Sequence, residues 1–300
     1  MRALVGGLIA AVVLLGAAAL AIGVRAGGGG LKAAVSLTVT HEFGAQKISH
    51  DSDAGATAGD TVMRLLEQHE DVTTRYGGGF VQSINGIAGG REGGKPVDWF
   101  YYVNGIESPI GAAQRKVVAG DSIWWDRHVW QAAQHIPAVV GAFPQPFLSG
   151  TGGRRIPVKI VCQPGVQRSC TEVETRLAAA HVNGVALSTV ELGPGEQVLR
   201  VIVGPWAEVR RDPVARTLEQ GPAASGVYAR PAPDGRTIGL LDELGRQVRT
   251  IGIGGGLVAA TSQQGQEPTW LVTGTDEVGV DAAVAALQTD RLDNHFAVAV

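Results

Sequence analysis

The sequence predicts an α+β chain in three parts. An N-terminal transmembrane or signal helix comes first, then a sheet with one helix, then a second α/β unit of ferredoxin-like or βαβ type. Three observations predict this. Residues 3–24 are an uncharged run rich in Ala, Leu, Val and Gly. Residues 34–129 hold several short runs of strand-like alternation and one amphipathic helical stripe. Beyond residue 155, short β-branched runs alternate with helical patterns, the order expected of an α/β unit.

The first part is residues 1–30. A bilayer-spanning helix needs roughly 20 apolar residues, and the run is long enough. Met1-Arg2 gives a basic start, and Val24-Arg25-Ala26 resembles a small-x-Ala cleavage site. The run therefore serves as an uncleaved anchor or a cleaved signal peptide. Its length, and Arg25 beside the cut, favour the anchor. No cysteine lies near it, so a lipoprotein anchor is excluded. The expected place is the cell membrane, single-pass with extracytoplasmic domains, or secreted if the signal is cut. Arg2 and Arg25 flank both ends, so positive charge does not orient the segment. The four glycines at 27–30 read as a flexible tether.

Cysteine usage agrees with export. Cys162 and Cys170 are the two cysteines, with a Pro164-Gly165 turn between them. In an oxidising compartment such a pair reads as one structural disulfide. A net charge of −3 gives no basic surface for nucleic acid. The 43 glycines and 14 prolines imply many turns. About 270 residues beyond the tether suggest two domains. The Pro- and Gly-rich stretch after residue 137 lacks periodicity and reads as a connector. The expected division is thus 31–140, a linker at 141–154, and 155–300.

The first domain reads β-β-α-β-β-β. Residues 34–40 (AVSLTVT) alternate as a half-buried strand, and 46–50 return as a hairpin. Residues 60–68 form the helix, with Gly59-Asp60-Thr61 as cap signal and Val62, Leu65, Leu66 and His69 on one stripe. Residues 80–84 form a strand ending at the Asn85-Gly86 turn. Residues 99–103 and 123–129 supply the last strands. One helix on one face of a mixed sheet is a β-grasp arrangement, and its other face is open.

Aromatics concentrate in those last strands. Only 5% of the chain is aromatic, yet Trp99, Phe100, Tyr101, Tyr102, Trp124, Trp125 and Trp130 fall in one window. Several pieces together resemble the transcobalamin-like C-terminal domain family. They are Gly59-Asp60-Thr61-Val62, Gly79-Phe80-Val81-Gln82-Ser83-Ile84-Asn85-Gly86, and Trp99-Phe100-Tyr101-Tyr102-Val103-Asn104-Gly105. Gly111-Ala112 and Gly120-Asp121-Ser122-Ile123-Trp124-Trp125 complete the set, over roughly residues 36–129. The resemblance implies a β-grasp domain which, in the vertebrate carriers, helps hold cobalamin against a large helical barrel. This chain has no helical repeats, so residues 155–300 or a partner must supply any second wall.

Strand alternation sorts the rings. Ile123, Trp125 and Arg127 share one face, and Ser122, Trp124, Asp126 and His128 the other. Trp99 and Trp125 are expected on the helix side. Tyr102, Asn104, Trp124, Asp126 and His128 are expected on the open face as ligand-binding residues. A flat macrocycle or sugar could stack there, with Asn104 and Asp126 bonding its rim. His128 could reach a corrinoid cobalt through neutral imidazole. With His135 alone for company, however, it makes a weak metal signal, and no metal site is expected.

The second domain predicts strands at 158–161, 198–203, 227–230, 237–241, 257–261, 270–273 and 296–300. Helices are expected at 172–180, 207–219 and from Thr275-Asp276 to 287. Gly252-Ile253-Gly254-Gly255-Gly256 looks like a phosphate loop but precedes a strand, so a turn is the better reading. No nucleophile elbow, zinc motif or paired-carboxylate pattern is present. The sequence predicts no enzyme and no cofactor. It predicts a ligand-binding protein, with cobalamin or another corrinoid as candidate ligand and a transporter as candidate recipient. The alternative is a cell-envelope interaction module, whose aromatic face meets a protein or wall polymer.

Overall fold

The computed structural model describes residues 33–189, 197–263 and 266–300. The N-terminal apolar run and the glycine tether lie outside the described residues. Among the described residues, no helix is long and apolar enough to cross a membrane. The described residues have a mixed α+β architecture, with two six-stranded and two three-stranded sheets and few helices.

The first unit grows from an alternating hairpin, β1 (Ser36–His41) and β2 (Gln46–Asp51). Its turn is unusual. Glu42, Phe43 and Gly44 all have positive φ, at 60°, 57° and 82°, a conformation that costs most side chains energy. Helix α1 (Val62–His69) starts at Thr61, whose hydroxyl accepts from the Arg64 N–H at 3.2 Å. That satisfies one of the otherwise unpaired first-turn amides. Strands β3 (Val72–Arg75), β4 (Phe80–Ile84), β5 (Gly90–Glu92), β6 (Lys95–Val103) and β7 (Ser122–Val129) follow.

The main sheet has the order β2-β1-β7-β6-β5, and the two-residue strand Ile106–Glu107 pairs with β6 as its sixth member. β1 runs parallel to β7, while the other pairs are antiparallel. A parallel pair needs a crossover connection, and α1 lies within it. Val62, Met63, Leu65 and Leu66 of α1 are buried with Trp99, Tyr101, Ile123 and Trp125 in one core. Trp99 and Trp125 thus hold the helix, as the alternation predicts. The β3–β4 hairpin was not legible in the sequence, because Val72–Arg75 is largely exposed.

The second unit comprises β8 (Val158–Cys162), α2 (Gln167–Ala179), β9 (Val185–Ser188), β10 (Leu199–Pro205) and α3 (Trp206–Val209). After them come β11 (Ala229–Pro231), β12 (Ile238–Leu241) and β13 (Gln247–Ile251), which form a small sheet of their own. β14 (Gly256–Thr261), β15 (Thr269–Gly274), α4 (Glu277–Ala286) and β16 (Val298–Ala299) complete it. The large sheet has the order β9-β8-β10-β15-β14-β16.

β9, β8, β10 and β15 are parallel, and β14 and β16 are antiparallel. A ferredoxin-like sheet is antiparallel, so that alternative is replaced by the βαβ one, seen in β8-α2-β9. Every residue of β14 and β15 is buried, as expected of strands covered on both faces. α2 and α4 contribute to the core on one face. α3 and the small sheet pack on the other.

Three expectations need correction. Residues 207–219 are not one helix: α3 ends at Val209 and a 3-10 turn runs Ala215–Gln220. Pro213 lacks an N–H and disfavours helical backbone at Asp212. The Asp212 carboxylate instead accepts from Val214 N at 2.8 Å and Ala215 N at 3.1 Å. α2 starts at Gln167 rather than 172, its first turn held by the Cys162–Cys170 disulfide. The final strand is shorter than 296–300: it pairs at Val298–Ala299, with Val300 exchanging backbone bonds with Gly256, while Phe296 turns away to the first unit.

The stretch 141–154 is irregular but not loose. The Phe143-Pro144 and Gln145-Pro146 peptides are cis. Phe143 and Phe147 pack on Trp270 of the second core, with ring centroids 6.0 and 4.9 Å away. Gln145 Nε2 donates to Gly120 O of the first unit at 2.8 Å. The connector therefore joins both units.

Candidate functional site

β6 and β7 carry Tyr102, Trp124, Asp126 and His128 on the face opposite α1, and Asn104 sits in the turn just past β6. The face assignment from alternation stands, but the expectation that this face is open does not. All five residues are 3% exposed or less. The second unit covers Tyr102, Trp124 and His128 together with Ala133, Ile136 and Val139 of the first, whereas Asn104 is buried against Asp121 and Gly150. The Phe296 ring stands edge-on to Trp124 at 5.2 Å, Tyr102 at 5.7 Å, His128 at 5.4 Å and Phe43 at 5.4 Å. Tyr228 meets Phe43 at 4.9 Å. Such edge-to-face pairs are favoured by the ring quadrupoles, and removing wide rings from water stabilises the joint further.

The polar members of the set are turned inward. The Asp126 carboxylate accepts from the Thr40 hydroxyl, from Gly44 N at 2.8 Å and from His128 Nδ1 at 2.8 Å. Trp124 Nε1 donates to Thr40 Oγ1 at 2.8 Å. His128 stacks on Phe100 at 4.5 Å and faces Phe43 at 4.7 Å. The strained β1–β2 turn thus aims both the Phe43 ring and the Gly44 amide into the joint.

Asn104 has φ 56° and is structural. Its amide donates to Asp121 Oδ1 and to Gly150 O, each at 3.0 Å, and its carbonyl accepts from Ser122 N at 2.8 Å. Burial pushes the Tyr102 phenol well above its ordinary pKa, and its hydroxyl has no partner among the described residues. Burial likewise raises the Asp121 carboxyl, opposed by the Val118 N–H, the Arg115 charge and the Asn104 amide.

Two clefts remain beside the joint, of about 450 and 470 Å³. The first lies lower on the same sheet face. Ser36 and Thr38 of β1, Ser122 and Trp124 of β7, and His50 of β2 form its floor, with Asp293 and Asn294 opposite. The parallel register pairs Ser36 with Ser122 and Thr38 with Trp124. The second cleft is more apolar and includes Phe43, Tyr228, Leu240 and Phe296. Alternation in AVSLTVT already put Ser36, Thr38 and Thr40 on one face. The signal that they border Trp124 was the β1–β7 pairing, which a linear reading does not supply. Phe43 and Phe296 had no signal at all.

Other motifs are absorbed by the fold. Gly254 N donates to Asp276 Oδ2 at 2.9 Å and Gly255 N to Thr275 Oγ1 at 3.2 Å, so these amides of the glycine loop have acceptors within the chain. Asp276 also caps α4 through Gly279 N at 2.8 Å. His135 is exposed and bonded to Glu107 at 3.0 Å. Among the described residues, no group of three or more His, Cys, Asp or Glu is placed to hold a metal.

Comparison with known proteins places a domain here. The model of a domain of unknown function, DUF4430, matches residues 59–128. This is the stretch from the cap of α1 to near the end of β7. Among solved structures, the chain is similar to a protein from Ruminococcus gnavus ATCC 29149 described as a "putative metal binding protein". Identity is 17%, covering 33% of this chain and 98% of that one, with a TM-score of 0.26. No curated protein matches.

Proposed function

We propose that this chain is a non-catalytic, extracytoplasmic ligand-binding protein whose ligand seats at the joint between its two units. One observation carries this reading. Beside Trp124, a cleft of about 450 Å³ is lined by polar groups from both units, within the roughly 300–1,000 Å³ usual for small-molecule sites. On this reading the first unit is a β-grasp domain of the kind found in the transcobalamin-like family, which it resembles over roughly residues 36–129. The second unit then supplies the wall that the vertebrate carriers draw from a helical barrel. Residues 1–30 tether the protein to the membrane, and a transporter is the candidate recipient of the ligand.

Cobalamin or another corrinoid is the ligand class that the resemblance brings. It would have to displace Phe296, whose ring occupies the space over Trp124 and Tyr102. The test is a titration of the full chain with cyanocobalamin and with a panel of small polar metabolites, followed by tryptophan fluorescence. A saturable change that is lost in Trp124→Phe is expected. No saturable change with any of them refutes the reading.

An envelope interaction module is the second reading. It is favoured by Tyr76, which is 86% exposed beside Phe80 at 6.3 Å. Under that reading Tyr76→Ser abolishes co-sedimentation with cell envelopes and leaves ligand titrations unchanged.

A further inference from the structure

The lower half of the sheet face is where the joint leaves polar groups unspent. Phe296 covers the upper half, over Tyr102, Trp124 and His128. Below it the floor of the first cleft is a row of hydroxyls: Ser36 and Thr38 on β1, and Ser122 on β7. Among the described residues, the hydroxyls of Ser36 and Ser122 have no hydrogen-bond partner, and neither does that of Ser52 at the mouth. His50 uses Nδ1 on Thr38 Oγ1 at 2.9 Å, leaving Nε2 free. Asn294 uses its amide nitrogen on Asp293 at 2.8 Å, leaving its carbonyl oxygen free. The free groups are therefore both donors and acceptors, and all are neutral or able to be neutral.

Charge excludes the alternatives. Among the described residues no Lys or Arg lines the cleft, and the nearby Lys47 is committed to Asp293 at 3.1 Å, so an anionic ligand meets no unpaired counter-charge there. Asp121 and Asp293 do line it, but both are engaged. Asp121 accepts from Asn104 Nδ2 at 3.0 Å and Val118 N at 2.9 Å. Asp293 is paired with Lys47 at 3.1 Å. A cation therefore finds no unpaired carboxylate. An apolar ligand would bury the serine hydroxyls unpaired, at a cost. What remains is a neutral ligand with many hydroxyl groups that can both give and accept hydrogen bonds.

We propose that the cleft between β1, β7 and the Asp293-Asn294 segment binds a neutral saccharide, free or as part of a wall polymer, through Ser36, Ser122, His50 and Asn294. This rests on the reading of the chain as a ligand-binding protein and names its ligand class.

The test uses the full chain, purified in a detergent without a sugar headgroup, and isothermal calorimetry. The probes are glucose, maltose, N-acetylglucosamine oligomers, a soluble neutral wall polysaccharide, glucose 6-phosphate and cyanocobalamin. At least one neutral saccharide should bind saturably, and glucose 6-phosphate more weakly than its neutral counterpart. Ser36→Ala/Ser122→Ala should weaken that binding by about tenfold or more, through two lost hydrogen bonds, with an unchanged urea midpoint. Asn294→Gly, which suits the φ of 58° there, should weaken it too and serves if the double variant fails to fold.

A disaccharide that binds alone marks a site for free sugar or a chain end. Binding of polymer only marks an extended chain. Either supports the inference. Saccharide binding that both variants leave unchanged overturns it. Cyanocobalamin binding without saccharide binding also overturns it, while the ligand-binding reading stands. No binding by any probe overturns both.

Discussion

Phe296→Ala tests the joint most directly. A fully buried Phe→Ala change costs about 3–5 kcal/mol. Phe296 is only half-buried, so roughly half of that applies to its burial. Its edge-on contacts to Phe43, Tyr102, Trp124 and His128 add to this, since an aromatic pair contributes about 0.5–1.5 kcal/mol beyond area. Partial collapse of the neighbouring rings offsets some of that, giving an expected loss of about 2–4 kcal/mol. Urea unfolding followed by tryptophan fluorescence measures it. The folded-state emission should also shift to the red, because Trp124 loses its cover. Phe296→Leu, which keeps most of the apolar volume, should lose less than half as much. A loss under about 0.5 kcal/mol, the range of neutral surface changes, with unchanged emission would refute the claim that Phe296 closes the face.

Three further outcomes are expected. Gly141→Ala places a Cβ 2.8 Å from the His295 backbone and from the Trp124 ring, so it should destabilise by about 1–3 kcal/mol as an overpacked contact, read as a lowered urea midpoint. Reduction of Cys162–Cys170, which are 8 residues apart, should cost about 2–3 kcal/mol on the chain-entropy model. It should also fray α2, seen as lost helical circular dichroism.

The third concerns acid. The Gly279 and Gly254 N–H groups hold the Asp276 carboxyl below its ordinary pKa against the opposing effect of burial, and the Arg210 guanidinium does the same for Glu219. A lowered folded pKa means stability present in full above the unfolded value and lost as pH falls through the folded one. Urea midpoints should therefore drop on acidification below about pH 4. Asp276→Asn, which can still cap α4, should flatten that drop, and an unflattened profile would remove Asp276 from the account.

Much of the first unit was legible because its signals are local. The strand at Phe80–Ile84, the Thr61 cap and the α1 stripe need only neighbours in sequence. So does the division of β7 into a Trp125 face and a Trp124 face. The candidate site was legible only in part. Alternation gives which face a residue takes, not what stands over that face. Asp126 and His128 looked solvent-facing because they are polar, whereas they bond each other, and Asp126 bonds Thr40, beneath the second unit. Pro213 was a visible break that a helical pattern overrode. β9 is largely exposed, with no apolar period to reveal it.

The sequence by itself determined the α+β class, the helix-bearing face of the first sheet, and the pairing of the two cysteines. Each follows from short-range periodicity, capping chemistry or composition. Only the tertiary structure decided that the aromatic face is closed by Phe296 and Tyr228, and that the groups left available are Ser36, Ser122, His50 and Asn294. The physical reason is distance along the chain. Phe296 and Trp124 meet at 5.2 Å across more than half the sequence, and no local pattern records which apolar surface a remote ring will cover.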